Sequence, residues 1–220
     1  MIAAFFDVDR TLIPGTSMEQ QFLIWLLRHG HLGPLAAIRG VLDVALRLPE
    51  ARRQGYLQYH GYLAGWREED VADWATRCFH ERVLPRVSSE GAATLAEHRA
   101  AGHLTILLSG SIQPLVEKLG ATLGADLAVG TGLEVVDGRY TGRLLGEHVA
   151  SGQKVVRVTD LARQHRIDLA RSYCYADHRS DLAMLERFGH PVPTNPDRGL
   201  VRIARERGWE VRRFRQRGKP

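Results

Sequence analysis

Cysteine is almost missing from these 220 residues: Cys78 and Cys174 stand alone, which excludes a disulfide framework and points to a reducing compartment. Lysine is nearly as scarce. Lys118, Lys154 and Lys219 are the only lysines among 30 cationic residues, so arginine is the default cation here. No apolar run approaches the roughly 18 residues that a bilayer span requires. The N-terminal segment has no cationic stretch and meets Asp7 too early for a secretory signal, so the expected location is cytoplasmic. A G-x-G-x-x-G loop is also absent, because Gly130-Thr131-Gly132 continues as Leu133-Glu134-Val135, and no G-K-[ST] occurs. Nucleotide-driven roles therefore lose their usual phosphate-binding loops.

The composition that remains is that of an ordinary globule, 44% hydrophobic and 25% charged, long enough for a sizeable core. Its net charge of +5 is unevenly placed. From Arg198 to Lys219 there are nine basic and two acidic residues, so the preceding body is slightly negative. Trp209 and Phe214 among Arg212, Arg213, Arg215 and Arg217 have the makings of a phosphate-rich contact. A solvated last strand with a loose basic end explains the same pattern, and nucleic acid is not the expected partner. A homo-oligomer is compatible with the sequence.

Ile2-Ala3-Ala4-Phe5-Phe6 reads as a buried parallel strand, and it runs into Asp7-Val8-Asp9-Arg10-Thr11. Between Pro14 and Pro85 the period becomes helical: Gln20 to Leu27, a stretch carrying Ile38, Val41, Leu42, Ala45 and Leu46, Ala51 to Leu63, and a stretch carrying Val71, Trp74, Ala75, Cys78 and Phe79. Beyond Val87, helices alternate with short apolar strands, which indicates a parallel sheet covered on both faces. Asp137-Gly138 marks a hairpin between Leu133–Val136 and Tyr140–Leu144. Further helices are expected over Glu90–Ala101, Ile112–Leu119, Gln153–His165, Asp181–Phe188 and Arg198–Glu206, and further strands over His103–Leu108, Ser172–Tyr175 and Glu210–Phe214. The expected fold class is α/β, a doubly wound parallel sheet formed by residues 1–14 and 87–220, with a helical-bundle cap over residues 15–86 inserted in it.

Four polar groupings fall near element ends. Asp7 and Asp9 sit two apart at a strand's carboxyl end, where side-chain alternation starts them on one side. Two facing carboxylates need a cation or a shared proton, and Mg²⁺ suits such oxygen ligands; the alternative is an Asp-rich turn. Ser109-Gly110-Ser111 follows a second strand and offers a hydroxyl and backbone N–H groups to a phosphoryl oxygen, or else a helix N-cap. Lys154 opens a helix, against the dipole, in a chain that otherwise uses arginine; it either neutralises phosphoryl and carboxylate charge or is a surface lysine. Asp177 and Asp181 follow a third strand, with Asp181 able to orient Lys154 or simply to begin the next helix.

The order D-x-D-x-T, S, K, D-x-x-x-D resembles the haloacid dehalogenase superfamily, and within it the phosphoserine-phosphatase-like branch with a helical cap after the first motif. The resemblance covers essentially the whole chain. It implies a Rossmann-like core, Mg²⁺, and a small-molecule phosphate ester hydrolysed through an aspartyl-phosphate intermediate. It further implies Asp7 as nucleophile and Asp9 as general acid/base. Thr11, Ser109, Gly110 and Lys154 would bind phosphate; Asp7, the Asp9 backbone carbonyl and Asp177 would be metal ligands, with Asp181 supporting. The glutamate that receives the amino group in phosphoserine phosphatases would fall at Thr16, the nearest acid being Glu19. That departure counts against phosphoserine itself and leaves histidinol phosphate, another phosphorylated amino alcohol and a lipid headgroup phosphate open. Phosphoryl transfer to an acceptor alcohol, and a non-catalytic basic-tailed binding module, are the alternative functions.

Overall fold

The computed structural model describes residues 1–33, 60–146, 149 and 152–216. The helix expected around Ile38–Leu46, the greater part of that over Ala51–Leu63 and the end of the basic tail lie outside the described residues. The strands are β1 (Ala3–Asp7), β2 (Leu104–Ile112), β3 (Leu127–Thr131), β4 (Leu133–Val136), β5 (Arg139–Leu144), β6 (Tyr173–Ala176) and β7 (His190–Pro193). The helices are α1 (Met18–Arg28), α2 (Glu68–Cys78), α3 (Ser89–Ala100), α4 (Gln113–Leu123), α5 (Gly152–Gln164), α6 (Leu182–Leu185) and α7 (Arg198–Arg207). None of the described helices is long and apolar enough to cross a membrane.

Five strands form one parallel sheet in the order β3-β2-β1-β6-β7, placing β1 at its centre. All of β1 is buried, and its side chains divide by parity between two cores. Ala4 and Phe6 pack with Leu95, Leu107, Tyr175 and Phe214, where the Phe6 and Tyr175 rings stack at 4.5 Å. Ala3 and Phe5 pack with Ile106, Cys174, Val158 and Met184, and Phe5 meets Phe188 edge-on at 5.1 Å. Burying each aromatic ring contributes roughly 1.5–3 kcal/mol. Asp7 shares the parity of Phe5, so it faces the side covered by α5, whose Val158 belongs to that core. Lys154 lies one turn before Val158 on the same helix face. Sheet alternation and helix period thus aim both groups at one spot.

Local signals account for several boundaries. Ser17 accepts from the Gln20 N–H while the Gln20 side chain accepts from the Ser17 N–H, a capping box that starts α1. Glu68, Glu69 and Asp70 favour the start of α2, which continues as a π-helical turn over Phe79–Val83. Asp137 and Gly138 both take positive φ, 51° and 71°, as a two-residue hairpin turn requires.

Other expectations are corrected. β2 does not stop at Leu108 but continues to Ile112 through a register shift, and α4 begins at Gln113 with Pro114 in its first turn, where proline fits. Strand β3 was not anticipated, because its Gly130 and Ala128 are weak strand formers. Strand β7 was hidden by Pro191 and Pro193, which an edge strand tolerates. Glu210–Phe214 is not a strand; Arg212 makes a single bridge to Thr194. Asp181–Phe188 resolves into a 3-10 turn at Arg179–Asp181 and the one-turn α6.

Of the helical insert, the described part contains α1, α2 and a 3-10 turn at Gly61–Leu63. The β4–β5 hairpin docks on it through reciprocal bonds, Gly65 N–H to Tyr140 O at 2.8 Å and Tyr140 N–H to Trp66 O at 2.9 Å. His29 and His31 belong to an aromatic stack, with ring centroids 4.1 Å from Trp25 and 4.2 Å from Trp74 respectively.

Gly189, just before β7 and so at the amino end of the strands, marks the tightest approach among the described glycines. A Cβ built there would lie 1.7 Å from the backbone oxygen of Ala170, which cannot swing aside. Gly189→Ala is expected to cost roughly 3 kcal/mol or more in a urea melt, through displacement of backbone rather than side chain.

Candidate active site

The carboxyl ends of β1, β2 and β6 deliver the polar groups. Asp7 closes β1 and is buried; its Oδ1 accepts from Lys154 Nζ at 2.6 Å and its Oδ2 from the Thr11 hydroxyl at 3.0 Å. Lys154, also buried, donates to Asp181 Oδ2 at 3.1 Å and lies 3.1 Å from Oδ1. Asp177, the first residue after β6, completes the group: one oxygen each from Asp7, Asp177 and Asp181 lie within 4.8 Å of one another. Among the described residues this is the one such cluster of three or more acidic, histidine or cysteine side chains.

Asp9 faces a different set. Its carboxylate accepts from the Met18 N–H at 2.7 Å, from Ser109 Oγ at 2.8 Å and from Ser111 Oγ at 3.0 Å. The intervening loop turns sharply, with Arg10 in the left-handed region at φ 64° and its N–H shared between the Ile13 and Thr16 carbonyls. Asn195, after β7, donates to the carbonyls of Arg10 and Thr11 and so ties this loop to the sheet. Gly110 holds the end of β2 in place, its carbonyl accepting from the Thr131 hydroxyl at 2.7 Å.

The electrostatics follow from burial. Three buried carboxylates face one ammonium, an excess of negative charge. Burial, with Asp7 and Asp181 adding to it, pushes Asp177 up to about 8, against Lys154 and Arg10. Burial likewise raises Asp181, and Lys154 opposes it. For Lys154, burial alone would favour the neutral amine; Asp181 and Asp7 outweigh it and hold the ammonium above its ordinary range. Asp9 is raised by burial, with the Met18 N–H, Ser109 and Ser111 pulling the other way.

This donor set fits a hard divalent cation. Asp181 Oδ1 is buried and accepts no hydrogen bond among the described residues, and it belongs to the cluster of three. A cation there would supply the missing counter-charge through all-oxygen ligands. The Asp9 carboxylate stands outside the cluster, occupied by its three donors.

The site residues expected from the sequence lie at this edge: Asp7, Thr11, Lys154, Asp177 and Asp181 on one side, Asp9, Ser109 and Gly110 on the other. Thr11 and Ser109 direct their hydroxyls at Asp7 and Asp9 in this structure. His178 contacts Ser180 and Asp197 and shapes the loop. Sequence reasoning missed Met18, Ser111 and Asn195. The capping box at Ser17 could have revealed the free Met18 N–H, and the S-x-S spacing could have revealed Ser111; nothing local marks Asn195.

Glu19 is a second buried acid nearby. It accepts from the Tyr62 hydroxyl and, at 3.4 Å, from the Ile112 N–H, while His60 Nε2 lies 3.6 Å away. Burial pushes it up to about 7, against the Tyr62 and Ile112 hydrogen bonds.

Comparison with known proteins identifies the family. The model of the haloacid dehalogenase-like hydrolases matches residues 4–186. A phosphoserine phosphatase of Mycobacterium tuberculosis is 32% identical over 97% of this chain and 71% of its own. A histidinol-phosphatase of Neisseria meningitidis is 26% identical over 96% of this chain and 98% of its own. A Bordetella pertussis crystal structure, of a protein with unknown function, superposes with a TM-score of 0.81 at 30% identity, covering 95% of this chain and 96% of that one. With its parallel sheet and its acidic edge, the chain belongs to the haloacid dehalogenase-like hydrolases, in the phosphoserine-phosphatase-like branch, and is a hydrolase of phosphoric monoesters.

Proposed function

We propose that the protein is a Mg²⁺-dependent phosphatase of a small phosphorylated metabolite that carries an amino group, acting through an aspartyl-phosphate on Asp7. The observation that carries this reading is Lys154 bridging Asp7 and Asp181 within the acidic cluster. Lys154 and Thr11 fix both oxygens of Asp7, so its carboxylate meets phosphorus in one orientation. A bound Mg²⁺, held by Asp7, Asp177 and the Asp9 carbonyl with Asp181 in support, would supply charge neutralisation for the phosphoryl group. Asp9 gives a proton to the departing alkoxide and later takes one from the water that opens the acyl phosphate. The Lys154 ammonium, the Gly110 N–H and the Ser109 hydroxyl answer the charge on the phosphoryl oxygens.

Glu19 supports the amino-bearing substrate class. Its buried carboxyl gains a counter-ion if a substrate ammonium enters, an arrangement suited to histidinol phosphate or a related phosphorylated amino alcohol. The site would lie beneath a helical cap over residues 15–86, with residues 1–14 and 87–220 as the catalytic core.

The direct test is phosphate release from a panel of phosphorylated amino alcohols and their amine-free analogues, with Mg²⁺ or EDTA. Release that requires Mg²⁺ and prefers the amines supports the reading; its absence from every compound overturns it. Asp7→Asn and Asp9→Asn are each expected to lower kcat by ~10³-fold or more. Adding Mg²⁺ should raise the melting temperature of the wild type, and Asp177→Asn should abolish most of that rise. Glu19 titrates at about 7 when folded against an ordinary carboxylate value when unfolded, so the folded state holds the extra proton. Its contribution to stability is complete below the unfolded value and falls as pH rises toward 7, by up to roughly 3 kcal/mol. Glu19→Gln should therefore flatten the decline in unfolding free energy between pH 4.5 and 7 relative to wild type.

A further inference from the structure

The end of β2 presents two serines to one carboxylate. Extended backbone puts Ser109 and Ser111 on the same side, with Gly110 turned away and its carbonyl fixed by Thr131. Both serines are fully buried. Ser109 Oγ accepts from the Ser111 N–H at 3.0 Å and donates to Asp9 Oδ2 at 2.8 Å. Ser111 Oγ lies 3.0 Å from Asp9 Oδ2 and 3.3 Å from Oδ1, so its hydrogen can serve either oxygen.

A hydroxyl has one hydrogen to give. With the N–H of Ser111 occupying one lone pair, Ser109 spends that hydrogen on Asp9 while no phosphoryl group is present. It cannot donate to the Asp9 carboxylate and to a phosphoryl oxygen at the same time. Once Ser109 turns to substrate, Asp9 would keep only the Met18 N–H and whatever else reaches it. Ser111 is the group that does.

We propose that Ser111 is the positioning residue for Asp9: it keeps the carboxyl aligned for proton transfer while Ser109 is handed over to the phosphoryl group, vacating Oδ2. In the proton-transfer step the Asp9 carboxyl O–H bond breaks and an O–H bond forms on the leaving oxygen, which takes the electrons of the broken P–O bond; Ser111 neither gains nor loses a proton. The proposal rests on the phosphatase reading and on Asp9 as its acid. It goes beyond that reading in assigning separate duties to two serines that contact the same carboxylate.

Alignment of the acid matters for a basic alkoxide leaving group and hardly at all for 4-nitrophenolate, which departs without a proton. The experiment compares kcat/KM for an alkyl phosphate that the wild type hydrolyses with that for 4-nitrophenyl phosphate. Ser111→Ala should lose about 30-fold on the alkyl ester and less than about 3-fold on the aryl ester, a ratio independent of how much enzyme is folded. Ser111→Cys, of similar size but a weaker donor, should fall between, and it stands in if the alanine variant cannot be purified. Ser111→Thr, which keeps the hydroxyl, should restore the wild-type ratio. Equal losses on both esters, or a wild-type ratio in both Ser111→Ala and Ser111→Cys, overturn the role of Ser111 and leave the phosphatase reading standing. A wild type that hydrolyses neither ester removes both.

Discussion

Three buried carboxylates gathered around a single ammonium are the constraint on which this structure turns. At an effective dielectric of about 20, two like charges 4 Å apart repel by about 4 kcal/mol, and Lys154 can offset only part of the sum. A chain retains such an arrangement in its interior when something arrives to complete the charge balance. The Oδ1 of Asp181, which accepts no hydrogen bond although the Lys154 ammonium lies 3.1 Å away, and the raised Asp177 are the two places where the imbalance is visible. In the proposed reaction a cation and a phosphoryl group would bring opposite charges to the same edge, so each would make room for the other.

The sheet supplies the rigidity that holding these charges together demands. Because β1 is central and buried on both faces, rotating Asp7 out of the cluster would mean disturbing Phe5 and Phe6 and hence both cores. Lys154 is held in the same way by the packing of Val158 one turn later. The acidic edge is thus a consequence of parity in a strand and period in a helix, and the loops contribute mainly Asp177, Asp9 and the hydrogen bonds of Asn195.

Much of this was legible in the sequence, and the reasons for the exceptions are physical. β1, β2, β6 and the Asp-Gly hairpin carry strong apolar or turn signals, and the groups at their ends followed from position alone. β7 was illegible because two prolines in four residues suggest a loop, and only its place at the sheet's edge makes them acceptable. The segment at Glu210–Phe214 looked like a strand by composition, yet it makes one bridge, since Phe214 is spent in the core and Arg212 pairs with Glu210. Lys154 was recognised by its rarity against arginine. The S-x-S spacing puts Ser111 beside Ser109, but its separate role depends on where the hydrogen of Ser109 points, which no spacing reveals.

The contrast between Asp7 and Asp9 bears on why the two proposed roles fall as they do. Asp7 is hydrogen-bonded to an ammonium whose own charge is sustained by Asp181, so protonating Asp7 would strip Lys154 of its closest partner. Burial raises Asp7 as it raises Asp9, but here a full ammonium charge opposes the rise, which suits the carboxylate to ionise and attack. Asp9 is held by an amide and two hydroxyls, all neutral, and hydroxyls can reverse from donor to acceptor as the carboxyl gains a proton. Its protonation state can therefore change without breaking an ion pair or displacing a strand. Two aspartates separated by one residue are given unequal freedom to exchange protons, and the charge of their partners sets that difference together with depth, Asp7 being buried and Asp9 half-buried.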